Sequence, residues 1–294
     1  MEKPGTLERI GCDTVFNLSL AGELLEFTAE VYRRALLGEA FDGVEKVPLK
    51  GIKAATENVF DMRTEVHGDV RPCGPDERMV WIGNHPSYET QWITIEVMSR
   101  LAGSAKGVGK KELLYNPLYL PPLLAWPAWL ANMAAFVSRN DHQAAVKAVQ
   151  EACKTIFTPD SGVVLFADKH RPTTERIKDD REKFAAIYPG NGIEEWLQGT
   201  CFPSSSGLIQ ILDAIPDVRV INFTSALDQQ SPHGTTFHVA MEEVALQQIF
   251  DITNIRPSEK DESMVSERER MLRGWMMNDY KAKNELIKGW QTQT

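Results

Sequence analysis

The stretch MVWIGNHPSYETQW, residues 79 to 92, changes character halfway along. Met79 to Gly83 form a short apolar run suited to a buried strand, and an amphipathic segment follows the Pro86–Ser87 pair. Asn84 and His85 therefore stand at a strand-to-helix junction. A histidine in that place suits a general base, because neutral imidazole takes a proton readily at pH 7. Such a base usually has a carboxylate on its other ring nitrogen, which fixes the tautomer and stabilises the imidazolium. Glu89 supplies one if the turn after Pro86 rotates by one residue, and Glu96 is a more distant second choice. Two blander readings stand beside this: a base without any carboxylate, and a capped turn with no chemistry at all.

Outward from this junction the pattern repeats. AKGVG (105–109), AAFVS (134–138), GVVLFA (162–167), VRVINF (218–223) and TTFHVAM (235–241) are further apolar runs of strand length. Helical segments such as QAAVKAVQEACKTIF separate most of them. Strands alternating with helices predict an α/β fold with a mixed, largely parallel central sheet flanked by helices. Residues 1–75 read as an N-terminal helical subdomain, with one helix ending near Gly38 and a second over VPLKGIKAATENVFDMRTEV (47–66). Residues 76–256 form the expected core. Residues 257–294, mixed in charge, read as one or two docking helices.

Composition narrows the function. The chain has 294 residues, 43% hydrophobic and 25% charged, with a net charge of −9. Those proportions are ordinary for a globular protein, and the acidic balance argues against nucleic acid as a partner. The four cysteines (12, 73, 153 and 201) form no C-x-x-C pair and read as reduced thiols in a cytoplasmic setting, a disulfide-bonded secreted chain being the less favoured reading. No leader of secretory pattern is expected at the N-terminus. The uncharged run from Leu113 to Ser138 is long enough to cross a bilayer, but Pro117, Pro121, Pro122 and Pro127 would break a straight helix. It reads as a buried kinked connection, or as an apolar rim that touches a membrane or lines an acyl groove.

Several motifs are missing. There is no G-x-G-x-x-G after a strand, no phosphate-cradling P-loop and no G-x-S-x-G elbow. Ser204, Ser205 and Ser206 suit a helix-cap region. His233 and His238 lack metal spacing and read as structural, so no metal site is expected.

Four stretches then fit together in order: GNHPSYET (83–90), GKKELLYNP (109–117), AAFVSRND (134–141) and LFADKHRP (165–172). The series resembles the glycerol-phosphate acyltransferase superfamily, whose members move acyl chains from acyl-CoA or acyl carrier protein onto glycerol phosphates. Asn84, His85 and Ser87 match the family's first block, Lys110, Glu112 and Leu113 the second, and Phe136 and Arg139 the third. Phe166 and Arg171 match the fourth, with Asp168 in place of its Glu and Lys169 and His170 in place of its Gly-Thr. VRVINFTSAL stands as the last block. The family's acid, five positions after the His, is Thr90 here, and the fourth block is closer to the soluble plastid-type branch.

The resemblance implies His85 as catalytic base with Glu89 as its partner. It implies Asn84, Ser87, Lys110, Arg139, Asp168, Lys169 and Arg171 as the substrate-binding set, with the arginines suited to bidentate phosphate binding. No cofactor is implied; acyl-CoA or acyl carrier protein is the co-substrate and a phosphorylated glycerol the acceptor. Peripheral contact with a membrane's inner face is a further expectation. Competing readings are an acyltransferase with another acceptor, a hydrolase sharing the apparatus, and a catalytically silent lipid- or acyl-carrier-binding protein.

Overall fold

Val80, Trp81 and Ile82 are buried on both faces because β2 (Arg78–Gly83) runs through the middle of a seven-stranded sheet. The computed structural model describes residues 6–41, 44–85, 87, 90–110, 134–137, 150, 157–168, 171–229, 233–254 and 266–292. Around β2 stand β1 (Arg63–His67), β3 (Ser104–Lys110), β4 (Ala134–Val137), β5 (Ser161–Phe166), β6 (Arg219–Leu227) and β7 (Thr236–Val244). Their order across the sheet is β1-β7-β6-β2-β5-β3-β4. β4, β3, β5, β2 and β6 are mutually parallel, and β7 runs antiparallel to β6 while pairing in parallel with β1. The sheet is thus mixed and largely parallel, as the continuous apolar runs predict.

Strand periodicity sorts the core into two layers. Val80, Ile82, Val163 and Val220 face one way, against α6 (Ser206–Ala214) and α8 (Glu267–Thr292), through Leu208, Ile211, Leu272, Met276 and Tyr280. Met79, Trp81, Val164 and Ile221 face the other way, against Phe16 and Leu20 of α1 (Thr6–Leu37), Ile52 of α2 (Lys46–Val59) and Ile93 and Val97 of α3 (Gln91–Ser99). Each such side chain removed from water stabilises the fold by about 1.5–3 kcal/mol. Further described elements are α4 (Thr174–Ile187), the single-turn helices α5 (Ile193–Trp196) and α7 (Leu246–Ile249), and a 3-10 turn at Ile252–Asn254.

One expectation is corrected. The helix expected over 47–66 stops at Val59, where the Phe60 N–H still bonds Thr56 but Asp61 turns left-handed at φ 45°. Residues 63–67 then become the edge strand β1. No Gly or Pro marks this break, so the pattern reads through it. Within the C-terminal stretch, α8 packs Leu272, Met276 and Tyr280 into the core. Its Lys283, 2% exposed, donates to Asn222 on β6 and pairs with Asp279 at 3.0 Å. Asn222 in turn donates to Asp279 at 2.6 Å and to Glu242 at 3.0 Å, so the buried Lys283 ammonium sits in a connected polar network.

Cys12, Cys73 and Cys201 are free thiols, and Cys153 lies outside the described residues. So does the run from Leu113 to Ser138 apart from β4. Among the described residues no helix is long and apolar enough to cross a membrane.

Candidate active site

The register of β2 against β5 sets Gly83 beside Phe166, and pairing continues one step further as the Ala167 N–H bonds the Gly83 carbonyl at 2.9 Å. The chain beyond each strand end therefore brings His85 and Asp168 side by side, at the carboxyl ends of the parallel strands where α/β folds gather ligands. The half-buried His85 ring lies on the Phe166 ring, with centroids 4.6 Å apart and planes 24° from parallel. Phe166 rests in turn on Phe223 of β6, edge to face at 6.0 Å.

Gly83 is needed for this closeness. A Cβ there would sit 2.3 Å from the Phe223 carbonyl oxygen, a backbone atom that cannot swing aside. Gly83→Ala is expected to cost about 1–3 kcal/mol through overpacking, read from the midpoint of urea unfolding.

Asn84 is 2% exposed, and both ends of its amide are engaged. It donates to the Ser225 carbonyl at 2.7 Å and accepts from the Ser225 N–H at 2.9 Å, extending the β2–β6 ladder with a side chain. Its place is thus to hold the turn that presents His85. Asn84→Ala would leave both Ser225 backbone groups buried and unpaired. The expected loss is about 2–3 kcal/mol in chemical denaturation.

Ser87 and Thr90 bond to each other through their hydroxyls at 2.9 Å, and the Thr90 N–H reaches Ser87 Oγ at 3.3 Å. These bonds fix the turn that leads into α3, where the Gln91 N–H also bonds the Ser87 carbonyl at 3.1 Å. Thr90 is 1% exposed and offers a hydroxyl and no charge. Gln91 holds Arg171: the guanidinium donates to Gln91 Oε1 at 3.0 Å, which keeps one cation beside the His85 turn.

Asp168 is a buried carboxyl within the site. It is 4% exposed, and neither carboxylate oxygen closes a hydrogen bond of good geometry. Burial pushes its pKa up to about 7, although the nearby Tyr280 hydroxyl and the His85 and Cys201 amides favour the charged form. Tyr280 comes from α8 and donates to the Gly83 carbonyl at 3.0 Å. Burial and the neighbouring Asp168 push the phenol well above its ordinary pKa, so it stays a neutral donor.

The structure thus brings together Asn84, His85, Ser87, Asp168 and Arg171 of the sequence-derived set. Glu89, Arg139 and Lys169 lie outside the described residues, as does His170, and Lys110 is described only as the last backbone residue of β3. Glu96, the second-choice carboxylate, is occupied elsewhere: it pairs with Arg100 at 2.9 Å on its own helix. Sequence reading missed Gln91, Ser225 and Tyr280. Gln91 abuts the motif, but Tyr280 is separated from Gly83 by 197 positions and nothing local marks it. Elsewhere, the His233 ring packs edge-on against Phe60 at 5.0 Å.

No family model matches the chain, and no curated protein matches it. Among solved structures it is similar to the crystal structure of the 1-acyl-sn-glycerophosphate (LPA) acyltransferase PlsC from Thermotoga maritima. The TM-score is 0.52 and the identity 14%, across 96% of this chain and 98% of that one. A likeness at that identity concerns architecture, and it runs from end to end: the chain has the α/β fold of that acyltransferase.

Proposed function

We propose that the protein is an O-acyltransferase that moves a fatty acyl chain from acyl-CoA or acyl carrier protein to a hydroxyl of glycerol 3-phosphate or lysophosphatidate. The observation that carries this reading is the half-buried His85, laid on Phe166 at the carboxyl end of β2 with Asp168 and Arg171 around it. The end-to-end likeness to an LPA acyltransferase fold supports it.

In this reading His85 takes the acceptor's hydroxyl proton as the oxygen attacks the thioester carbonyl. The tetrahedral adduct collapses, the C–S bond breaks, and the imidazolium returns the proton to the departing thiolate. Donor and acceptor meet in one ternary complex with no acyl-enzyme. Glu89 orients the imidazole. Arg171, with Lys110, Arg139 and Lys169, holds the acceptor's phosphate. Asn84 and Ser87 serve by fixing the turn, and Asp168 sets the local charge. A cytoplasmic protein resting on a membrane's inner face would meet such lipid substrates directly.

A second reading follows from Thr90: an acyl-donor-binding protein without turnover, since the family acid's charge is missing there. Thiol release from long-chain acyl-CoA and acyl carrier protein, with and without each acceptor, separates the two. Release that requires an acceptor supports the transferase, and its acceptor preference identifies the substrate. Release into water alone would make it a hydrolase. Tight donor binding with no release under any condition would sink the transferase reading.

A further inference from the structure

At the far edge of the sheet, β1 and β7 run parallel with Glu65 opposite His238. His67, two residues on from Glu65, shares its face of the strand. His67 Nε2 and His238 Nδ1 are 3.0 Å apart, and Glu65 Oε2 lies 3.6 Å from the latter and 3.9 Å from the former. Three donor atoms from three side chains thus converge on one small region. Ligands bound at about 2.0–2.2 Å around a tetrahedral ion stand roughly 3.3–3.6 Å apart, so this triangle needs only small adjustments to close on a metal.

We propose that Glu65, His67 and His238 form a binding site for a divalent transition-metal ion of the zinc class. Two imidazoles and one carboxylate, with no thiolate, suit zinc and its neighbours, whereas calcium and magnesium take sets of oxygens. Three protein ligands leave a fourth position, which faces solvent because Glu65 and His67 are exposed.

Trp290 makes the site rigid. Its indole lies on the His238 ring at 4.8 Å and 13° and on the His67 ring at 6.0 Å and 23°. The two imidazoles are themselves stacked at 5.3 Å. Side chains held in this way lose little further freedom when they take up an ion. With the site empty the two rings share a hydrogen bond. A bound ion would replace it and tie the edge strand β1 to β7 beneath the end of α8, which restrains an edge that the sheet holds on one side only. Sequence spacing hides the cluster because its two histidines are 171 positions apart.

The test titrates Zn²⁺ into the chelator-stripped full-length protein by calorimetry, beside His67→Ala and Glu65→Gln. One equivalent is expected to bind, with affinity reduced at least about tenfold in each variant. Zinc is also expected to raise the thermal midpoint of the native protein and to leave that of His67→Ala unmoved. His67 is exposed, so its loss should not disturb the fold, which circular dichroism verifies. Should that variant fail to fold, Glu65→Gln, which keeps the shape and removes the charge, decides. Absence of saturable binding overturns the proposal. So does equal affinity in the variants, which would place the ion elsewhere.

Discussion

Alanine at position 85 is expected to cut acceptor-dependent thiol release by about 10²–10⁴-fold, which corresponds to roughly 3–5.5 kcal/mol of barrier. The fold should survive, because the half-buried ring rests on Phe166 and the turn is held independently by Asn84 and the Ser87–Thr90 pair. The measurement is kcat/KM for long-chain acyl-CoA at saturating acceptor, with near-identical circular dichroism as the control. Glu89→Gln belongs beside it, since loss of the comparable carboxylate in a serine protease costs about 10⁴ in kcat. A fall in both variants establishes the dyad. A fall in the first alone keeps His85 as the base and moves attention to Asp168. Unchanged rates in both would remove the general-base reading altogether.

What the sequence discloses follows from what each element faces. GVVLF and MVWIG read as strands because β5 and β2 are covered on both sides, so nearly every residue is apolar. RTEVH does not, because β1 is an exposed edge whose side chains meet water. Its neighbour α2 then absorbs it into a helical pattern that only the Asp61 backbone interrupts. At the site, Asn84 and His85 are legible because a strand end, a turn and a helix start lie within a dozen residues. The identity of Asn84's partner is not legible, since Ser225 is brought there by the β2–β6 pairing. Asp168 shows the same divide. Its position in the fourth block is visible in one dimension, whereas its burial depends on α8 closing over it through Tyr280. The zinc-class cluster lies wholly on the hidden side, being a product of parallel pairing between the edge strand and β7.

Asp168→Asn is expected to change the pH dependence of stability by up to about 4 kcal/mol. The native carboxyl has a pKa of about 7 against an ordinary 3.8, mainly because burial disfavours its charged form. Each unit of such a shift corresponds to about 1.4 kcal/mol. The sign follows from proton counts. Between about pH 4 and pH 7 the native state keeps a proton that the unfolded chain has released, so raising the pH through that window favours unfolding. The contribution is fully present below the unfolded pKa and is lost once the pH passes the native one. Asparagine has no proton to release, so the difference in unfolding free energy between the variant and the native chain should shift in the variant's favour from pH 4 to pH 8. Urea unfolding at several pH values measures this directly, and taking the difference cancels exposed groups common to both proteins, such as Glu77 with its pKa lowered by Arg71. A difference that stays constant with pH would mean that Asp168 titrates near its ordinary value, and hence that the Tyr280, His85 and Cys201 donors close on it fully. In that case the carboxylate would be charged beside His85 throughout the neutral range and would stand as the imidazole's electrostatic partner. If instead the predicted slope appears, about half the molecules carry a neutral Asp168 near pH 7. The negative charge that stabilises an imidazolium must then come chiefly from elsewhere, and the Glu89→Gln variant tests the proposed source.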